Sequence, residues 1–98
     1  ELYGKLLRKK NDRRWRIEHA QVVSPDDVWT FGRYSVIPSV QPTHATSDMY
    51  WAADRLGPAR VKGAYAFKDL MRQNNLITFG SDFPVEAVNP LFGFHAAV

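Results

Sequence analysis

The stretch 76–86 places the strongest constraint on the fold, because it has the pattern of a buried strand that ends on a carboxylate. Ile77 and Phe79 are bulky, whereas Gly80 and Asp82 are small or polar. Successive strand side chains point to opposite faces, so one face is apolar and the other narrows toward Asp82. Two interpretations of Asp82 remain open: an active-site acid at the carboxyl end of an α/β strand, or a turn residue. Taken alone, the stretch favours the turn.

The rest of the chain alternates between extended and helical patterns. Strands are predicted over 14–20, 36–42 and 76–81, and helices over 1–10, 24–34, 46–56, 63–73 and 91–98. Ser24 and Pro25 suit the start of one helix, and Gly57-Pro58 is a stop signal for the next. Strands that alternate with helices predict an α/β fold built from parallel βαβ units with right-handed crossovers.

Composition narrows the class of protein. The chain has 98 residues and no cysteine, which limits it to one domain and excludes disulfides and thiolate zinc sites. Its apolar runs are too short for a membrane span and no secretory signal pattern is present, so we expect a cytoplasmic protein without a membrane partner. It begins at Glu1 rather than at a methionine, which is compatible with a part of a longer protein.

A basic run near the N-terminus supplies most of the formal net charge of +3. It comprises Lys5, Arg8, Lys9, Lys10, Arg13, Arg14 and Arg16. Such a run suits either a nucleic-acid patch or a solvated helix end, where cations interact favourably with the helix dipole. We favour the helix end, because nothing else in the sequence matches a nucleic-acid-binding module.

Three potential metal ligands fall at the carboxyl ends of the three predicted strands. His19 lies at the end of the first strand, and His44 and Asp82 follow the second and the third. Since the carboxyl ends of parallel strands meet at one edge of a sheet, these side chains are expected to converge. Imidazoles and a carboxylate suit zinc or a similar divalent ion. A capping or packing role for the histidines explains the spacing about as well.

Three segments resemble the amidohydrolase superfamily, most closely its amidohydrolase-3 branch, which includes N-substituted formamide deformylases. They are 16–21, 39–44 followed by Ser47-Asp48, and 79–85, and they occur in compatible order and spacing. The resemblance implies a metal-dependent hydrolase that acts on carbon–nitrogen, amide-type bonds and has a distorted, TIM-like (β/α)8 barrel. With the resemblance included, the active-site interpretation of Asp82 is favoured over the turn.

The resemblance also implies roles for individual residues. His19 and His44 would be the metal ligands of barrel strands 5 and 6. Asp82 would be the strand-8 acid, which binds the metal and acts as general base toward the hydrolytic water. The cofactor would be a divalent metal, with zinc as the expected ion. The substrate-side residues would be Asp48, Trp51 and Tyr65. For the last two, helix packing is at least as good an explanation.

The chain departs from the family pattern in length and in ligand content. The family uses a His-x-His pair from strand 1 and a bridging residue from strand 4, and this sequence contains no His-x-His. A full barrel takes about 250 residues. Residues 1–98 are therefore expected to form a single partial domain, the C-terminal βα units 5–8 of the barrel. A half-barrel exposes two sheet edges, which predicts either a homo-oligomer or a missing N-terminal half.

Three functional hypotheses follow. In the first, the chain is part of a parent amidohydrolase that acts on a small-molecule amide-type substrate, and the 98 residues alone are inactive. In the second, it is a catalytically inactive half-barrel that associates with itself and traps a metal. In the third, which we favour least, the basic run binds an acidic partner, although nucleic acid is not expected.

Overall fold

The structure, a computed structural model, describes residues 2–98 and contains a three-stranded parallel sheet. Its strands lie side by side in chain order: β1 (Arg16–Glu18), β2 (Ile37–Val40) and β3 (Thr78–Phe79). The helices are α1 (Leu2–Leu7), α2 (Val28–Tyr34), α3 (Pro42–Asp48), α4 (Ala52–Arg60), α5 (Phe67–Asn74) and α6 (Pro90–Ala97). Short 3-10 turns at Pro25–Asp27 and Val61–Gly63 precede α2 and follow α4. No helix within 2–98 is both long and apolar enough to cross a bilayer. The parallel sheet and its helices confirm the predicted α/β class and the predicted parallel strands.

Local sequence signals explain several helix ends. Pro25 lies in the 3-10 turn ahead of α2, where a missing N–H costs nothing. α2 ends where Ser35 adopts a left-handed conformation with φ 52°, as is common just after a helix. At α6, Asn89 is the N-cap, and its side-chain oxygen accepts the Leu91 N–H at 3.0 Å. Pro90 then occupies the first helical position.

The segment after β2 differs from the prediction. β2 ends at Val40 and α3 begins at Pro42, because proline cannot donate to a sheet ladder but suits the first turn of a helix. His44 consequently lies in the first turn of α3 rather than in a loop. Thr46, where the predicted helix was to begin, lies inside α3, and its hydroxyl donates to the Thr43 carbonyl at 2.9 Å.

Gly57-Pro58 interrupts the helix as predicted: Gly57 takes a non-helical φ of 74°, and only a short helical segment follows it as far as Arg60. One further helix boundary was predicted incorrectly. The helix predicted from residue 63 begins only at Phe67. Tyr65 prevents an earlier start, because its φ of 51° lies outside the right-handed helical region.

β2 forms the centre of the core. All four of its residues are buried, and α5 packs against β2 and α2. Phe31 of α2 and Leu70 of α5 expose only 4% and 0% of their surface. The Asn74 amide ties these elements together, since it donates to the carbonyls of Phe31 and Val36 at 3.0 and 2.9 Å. The buried side of α5 therefore centres on Leu70, whereas the neighbouring Met71 is exposed.

Both outer strands are exposed, so the prediction of a buried strand over 76–81 is wrong. Only Thr78 and Phe79 of that stretch pair with β2. Ile17 of β1 and Phe79 of β3 expose 39% and 52% of their surface, since no further strand within 2–98 extends the sheet at either edge. α6 adds more exposed apolar side chains, including Leu91 and Phe94. The fold therefore presents an unusually apolar surface beside both sheet edges.

An isolated antiparallel bridge joins the loop after β1 to the turn before α5. The Val23 N–H donates to the Gly63 carbonyl at 2.9 Å, and the Tyr65 N–H donates to the Gln21 carbonyl at 2.7 Å. Gly63 is required at this close approach, because a Cβ there would overlap the Val23 carbonyl oxygen. The bridge fixes Gln21 and Tyr65 next to each other.

We predict that Gly63→Ala destabilises the protein by about 1–3 kcal/mol, because the added methyl group must displace backbone rather than a flexible side chain. Gly93→Ala is the matched control, since a Cβ at this position in α6 meets no atom within 4 Å. Alanine forms helix better than glycine, so the control should be neutral or slightly more stable. The free energy of unfolding from urea denaturation checks both variants. Equal stabilities for the two variants would contradict the assigned contact.

Candidate metal centre

His19, His44 and Asp82 converge at the carboxyl edge of the parallel sheet. His19 directly follows β1, His44 lies in α3 just beyond β2, and Asp82 follows β3. The parallel pairing of the strands brings these three chain positions to the same edge. Their candidate ligand atoms all lie within 4.8 Å of one another. The structure thus brings together the three residues that the sequence predicted to meet.

Backbone conformation helps to aim two of these side chains. His19 and Asp82 have φ values of 66° and 56°, which lie in the left-handed region that non-glycine residues adopt uncommonly. At each position the chain turns sharply as it leaves its strand. His44 needs no such turn, because α3 carries it. Residues held in sparsely populated conformations cluster at functional sites, which agrees with this edge being the site.

The two imidazole rings lie face to face, and Asp82 approaches them from one side. The ring centroids of His19 and His44 are 6.1 Å apart, with only 13° between the ring planes. His44 Nε2 lies 3.8 Å from Asp82 Oδ2, which is too long for a hydrogen bond. His44 exposes 9% of its surface and His19 is exposed. The Asp82 side chain exposes 37%, so the cluster is open to solvent on one side.

A divalent metal ion fits this group of residues. The buried Nε2 of His44 has no hydrogen-bond partner among the described residues, and a buried polar atom without a partner is costly unless a ligand satisfies it. Two neutral imidazoles and a carboxylate are ligands that zinc accepts. Bonds of about 2 Å put two ligand atoms of one ion roughly 3–4 Å apart. The 3.8 Å pair already meets this condition, and the widest separation of 4.8 Å exceeds it only slightly.

A second polar cluster lies beside the first and contains Gln21, Asp48 and Tyr65. Gln21 Nε2 donates to Asp48 Oδ2 at 3.0 Å and to the Tyr65 hydroxyl at 2.8 Å. The Tyr65 hydroxyl also donates to Asp48 Oδ2. Burial and the hydrogen bond to Asp48 raise the pKa of Tyr65 above its usual value of 10.0, and the hydrogen bond from Gln21 acts in the opposite direction. The phenol therefore stays protonated and remains a hydrogen-bond donor near neutral pH.

The predicted substrate-side residues divide into two groups. Asp48 and Tyr65 meet in the second cluster, whereas Trp51 precedes α4, is half-exposed, and forms none of these hydrogen bonds. Gln21 was missed, although it lies inside the 16–21 segment and only two positions after His19. Its spacing from a candidate ligand was the one signal that could have found it.

Two curated proteins are similar to most of this chain. The sequence is 44% identical over 88 residues to Protein LONG AFTER FAR-RED 3 of Arabidopsis thaliana, and the match covers 89% of this chain and 15% of that protein. It is 40% identical over 89 residues to the putative amidohydrolase YtcJ of Bacillus subtilis (strain 168), and this match covers 91% of this chain and 17% of YtcJ.

Solved structures give a consistent result. Crystal structures of uncharacterized metal-dependent hydrolases from Pyrococcus furiosus and Pyrococcus horikoshii OT3 each superpose with a TM-score of 0.76. Their sequence identities to this chain are 36% and 41%, and each match covers 85% of this chain and 17% of the other. The chain thus spans roughly one sixth of the proteins it matches. The sequence model of the Amidohydrolase family, Amidohydro_3, matches residues 6–98. The chain therefore belongs to the Amidohydrolase family.

Proposed function

We propose that this chain supplies part of the active site of a metal-dependent hydrolase that cleaves carbon–nitrogen, amide-type bonds. The observation that carries the proposal is the convergence of His19, His44 and Asp82, together with the buried Nε2 of His44, which has no hydrogen-bond partner within residues 2–98. Membership of the Amidohydrolase family and the similarity to metal-dependent hydrolase structures support it.

The three residues share metal binding in this proposal, and Asp82 has a second role. His19 and His44 hold a divalent ion, for which we propose zinc, through neutral ring nitrogens. The ion would supply Lewis-acid chemistry, which polarises an amide carbonyl and lowers the pKa of a water. Asp82 would bind the same ion and act as general base, accepting the proton of the hydrolytic water on its carboxylate. Its partial exposure of 37% leaves the carboxylate accessible to water, and its closeness to His44 keeps it at the reacting centre.

We propose that β1, β2 and β3 correspond to strands 5, 6 and 8 of a distorted TIM-like barrel in which β2 pairs directly with β3, with no strand 7 between them among residues 2–98. This numbering would account for the carboxyl-edge position of all three residues. The remaining ligands of the family's site, a His-x-His pair and a bridging residue, would then come from strands outside the 98 residues. The substrate pocket would likewise need more helices and strands than this chain provides, because the chain spans only 15% to 17% of the length of its relatives.

We also propose that the exposed edges at Ile17 and Phe79 are covered by further parallel strands of an amidohydrolase barrel. A sheet edge with unpaired backbone groups and apolar side chains is a ready site for strand pairing. Relatives at 40% and 44% identity extend well beyond the matched region, so the family supplies additional chain for this role. A second copy of the chain is the alternative occupant that experiment must distinguish.

Metal binding is the first test. We predict that the purified chain binds Zn2+ or Co2+ in a calorimetric titration, and that His19→Ala and Asp82→Asn each weaken binding at least about tenfold, since each removes a ligand. His95→Ala is the matched control, because His95 lies on α6 and is not part of the cluster, and it should leave the affinity unchanged. Equally weak metal binding by the unmodified chain and all three variants would contradict the proposed metal site.

Catalysis is tested in a chimera, because the chain covers only part of the fold. We predict that YtcJ with its matched 89 residues replaced by this sequence hydrolyses members of a panel of N-formyl and N-acyl amines. Asp82→Asn in the chimera should lower kcat by about 10²–10⁴, the typical contribution of a general base. Asp69→Asn, which changes an exposed carboxylate on α5, should have no effect. Retention of kcat in the Asp82 variant at full metal occupancy would remove Asp82 from the general-base role.

The edge proposal predicts that Phe79→Lys affects stability in the chimera but not in the isolated chain. In the isolated chain Phe79 is half-exposed, so Phe79→Lys should leave stability unchanged or raise solubility. In the chimera the same position would be covered, and the variant should lose about 2–4 kcal/mol in urea denaturation through burial of an unpaired charge. A stable dimer of the isolated chain by light scattering, disrupted by Phe79→Lys, would instead identify a second copy as the occupant.

A further inference from the structure

We propose that Gln21, Asp48 and Tyr65 form a positioning triad that sets the separation of the His19 and His44 rings. The inference rests on the metal-binding function proposed above and deepens it. It assigns to Gln21 and Tyr65 a role in metal affinity and coordination geometry, which they exert without contacting the ion.

The three side chains form a closed ring of hydrogen bonds. Gln21 Nε2 donates to both other members, and the Tyr65 hydroxyl accepts from Gln21 and donates to Asp48. Asp48 Oδ2 accepts from both. Each member therefore has two partners within the ring, and no member can move without breaking two hydrogen bonds. The ring is part-buried, which makes each lost bond more costly than on an open surface.

The ring joins the same two chain segments that carry the histidines. Gln21 lies two positions after His19, and Asp48 lies one helical turn after His44 on the same face of α3. The His19–His44 pair and the Gln21–Asp48 pair are thus parallel connections between the loop after β1 and α3. One helical turn separates them, about 5.4 Å. Fixing the second connection consequently limits how far the two imidazoles can move apart.

Tyr65 anchors the ring to a third part of the chain. Its N–H donates to the Gln21 carbonyl at 2.7 Å, so backbone and side chain of Tyr65 both hold Gln21. Tyr65 has a φ of 51°, a left-handed conformation that is unfavourable for an aromatic residue. His19 and Asp82 share this conformation. The fold thus accepts backbone strain at Tyr65 in the place where the phenol meets Gln21.

The test compares variants that remove equivalent hydrogen bonds near to and far from the site. Gln21→Leu removes an amide that donates two hydrogen bonds within the triad, and Tyr65→Phe removes only the hydroxyl. Asn74→Leu is the matched control, because the Asn74 amide also donates two hydrogen bonds, to core carbonyls away from the cluster. Co2+ titration of the purified chain, followed by visible absorption, reports affinity and coordination geometry together. Urea denaturation reports the stability of each variant separately.

We expect Gln21→Leu to weaken Co2+ binding about 10- to 100-fold, the range found when supporting residues around metal ligands are replaced. Gln21→Leu should also shift the visible absorption bands of bound Co2+. Tyr65→Phe should weaken Co2+ binding less than Gln21→Leu does and shift the bands in the same direction as that variant. Asn74→Leu should lower stability while leaving the affinity and spectrum of the folded protein unchanged. Unaltered affinity and spectrum in both triad variants, in a protein whose His19→Ala variant loses Co2+, would overturn the positioning role alone. If the unmodified chain binds no Co2+, the metal site fails, and the positioning role fails with it.

Discussion

Backbone pairing of β2 with β1 on one side and with β3 on the other is the interaction on which the site depends. Because both pairings are parallel, the carboxyl ends of all three strands face one edge, and His19, His44 and Asp82 meet there. β2 is the fixed element of the three, since all its residues are buried and α5 packs against it. The outer strands are positioned mainly by their pairing with β2. The geometry of the cluster therefore depends on a single four-residue strand.

The convergence of the ligands could be predicted from the sequence, whereas their detailed placement could not. Alternating strands and helices require parallel pairing, and parallel pairing alone brings His19, His44 and Asp82 to one edge. The position of His44 inside α3 was missed, because Pro42 was assigned to the end of a strand when its ring suited the start of a helix. The Gly57-Pro58 stop signal was interpreted correctly, because Gly57 leaves the helical conformation, but the short helical segment that follows it as far as Arg60 was not predicted.

The second cluster marks the limit of prediction from a single sequence. Asp48 and Tyr65 were proposed near the pocket only through resemblance, and Gln21 was not proposed at all. Their meeting depends on the antiparallel bridge between distant segments and on Gly63, whose missing side chain permits the close approach. Exposure was also unpredictable, because Phe79 has the residue type of a buried strand and only the absence of a neighbouring strand within 2–98 leaves it open.

The two-residue pairing of β3 has a consequence for the order in which the molecule loses structure. With only Thr78 and Phe79 in register against β2, this strand has few hydrogen bonds to resist local opening, and short exposed elements open at low free energy. Asp82 follows β3 and would detach with it. An ion bound to His19, His44 and Asp82 would then act as a cross-link that closes two long chain loops. Its stabilisation of the closed state would arise largely because the cross-link reduces the conformational entropy of the opened chain. Because Asp82 follows β3, metal binding would slow amide exchange in β3.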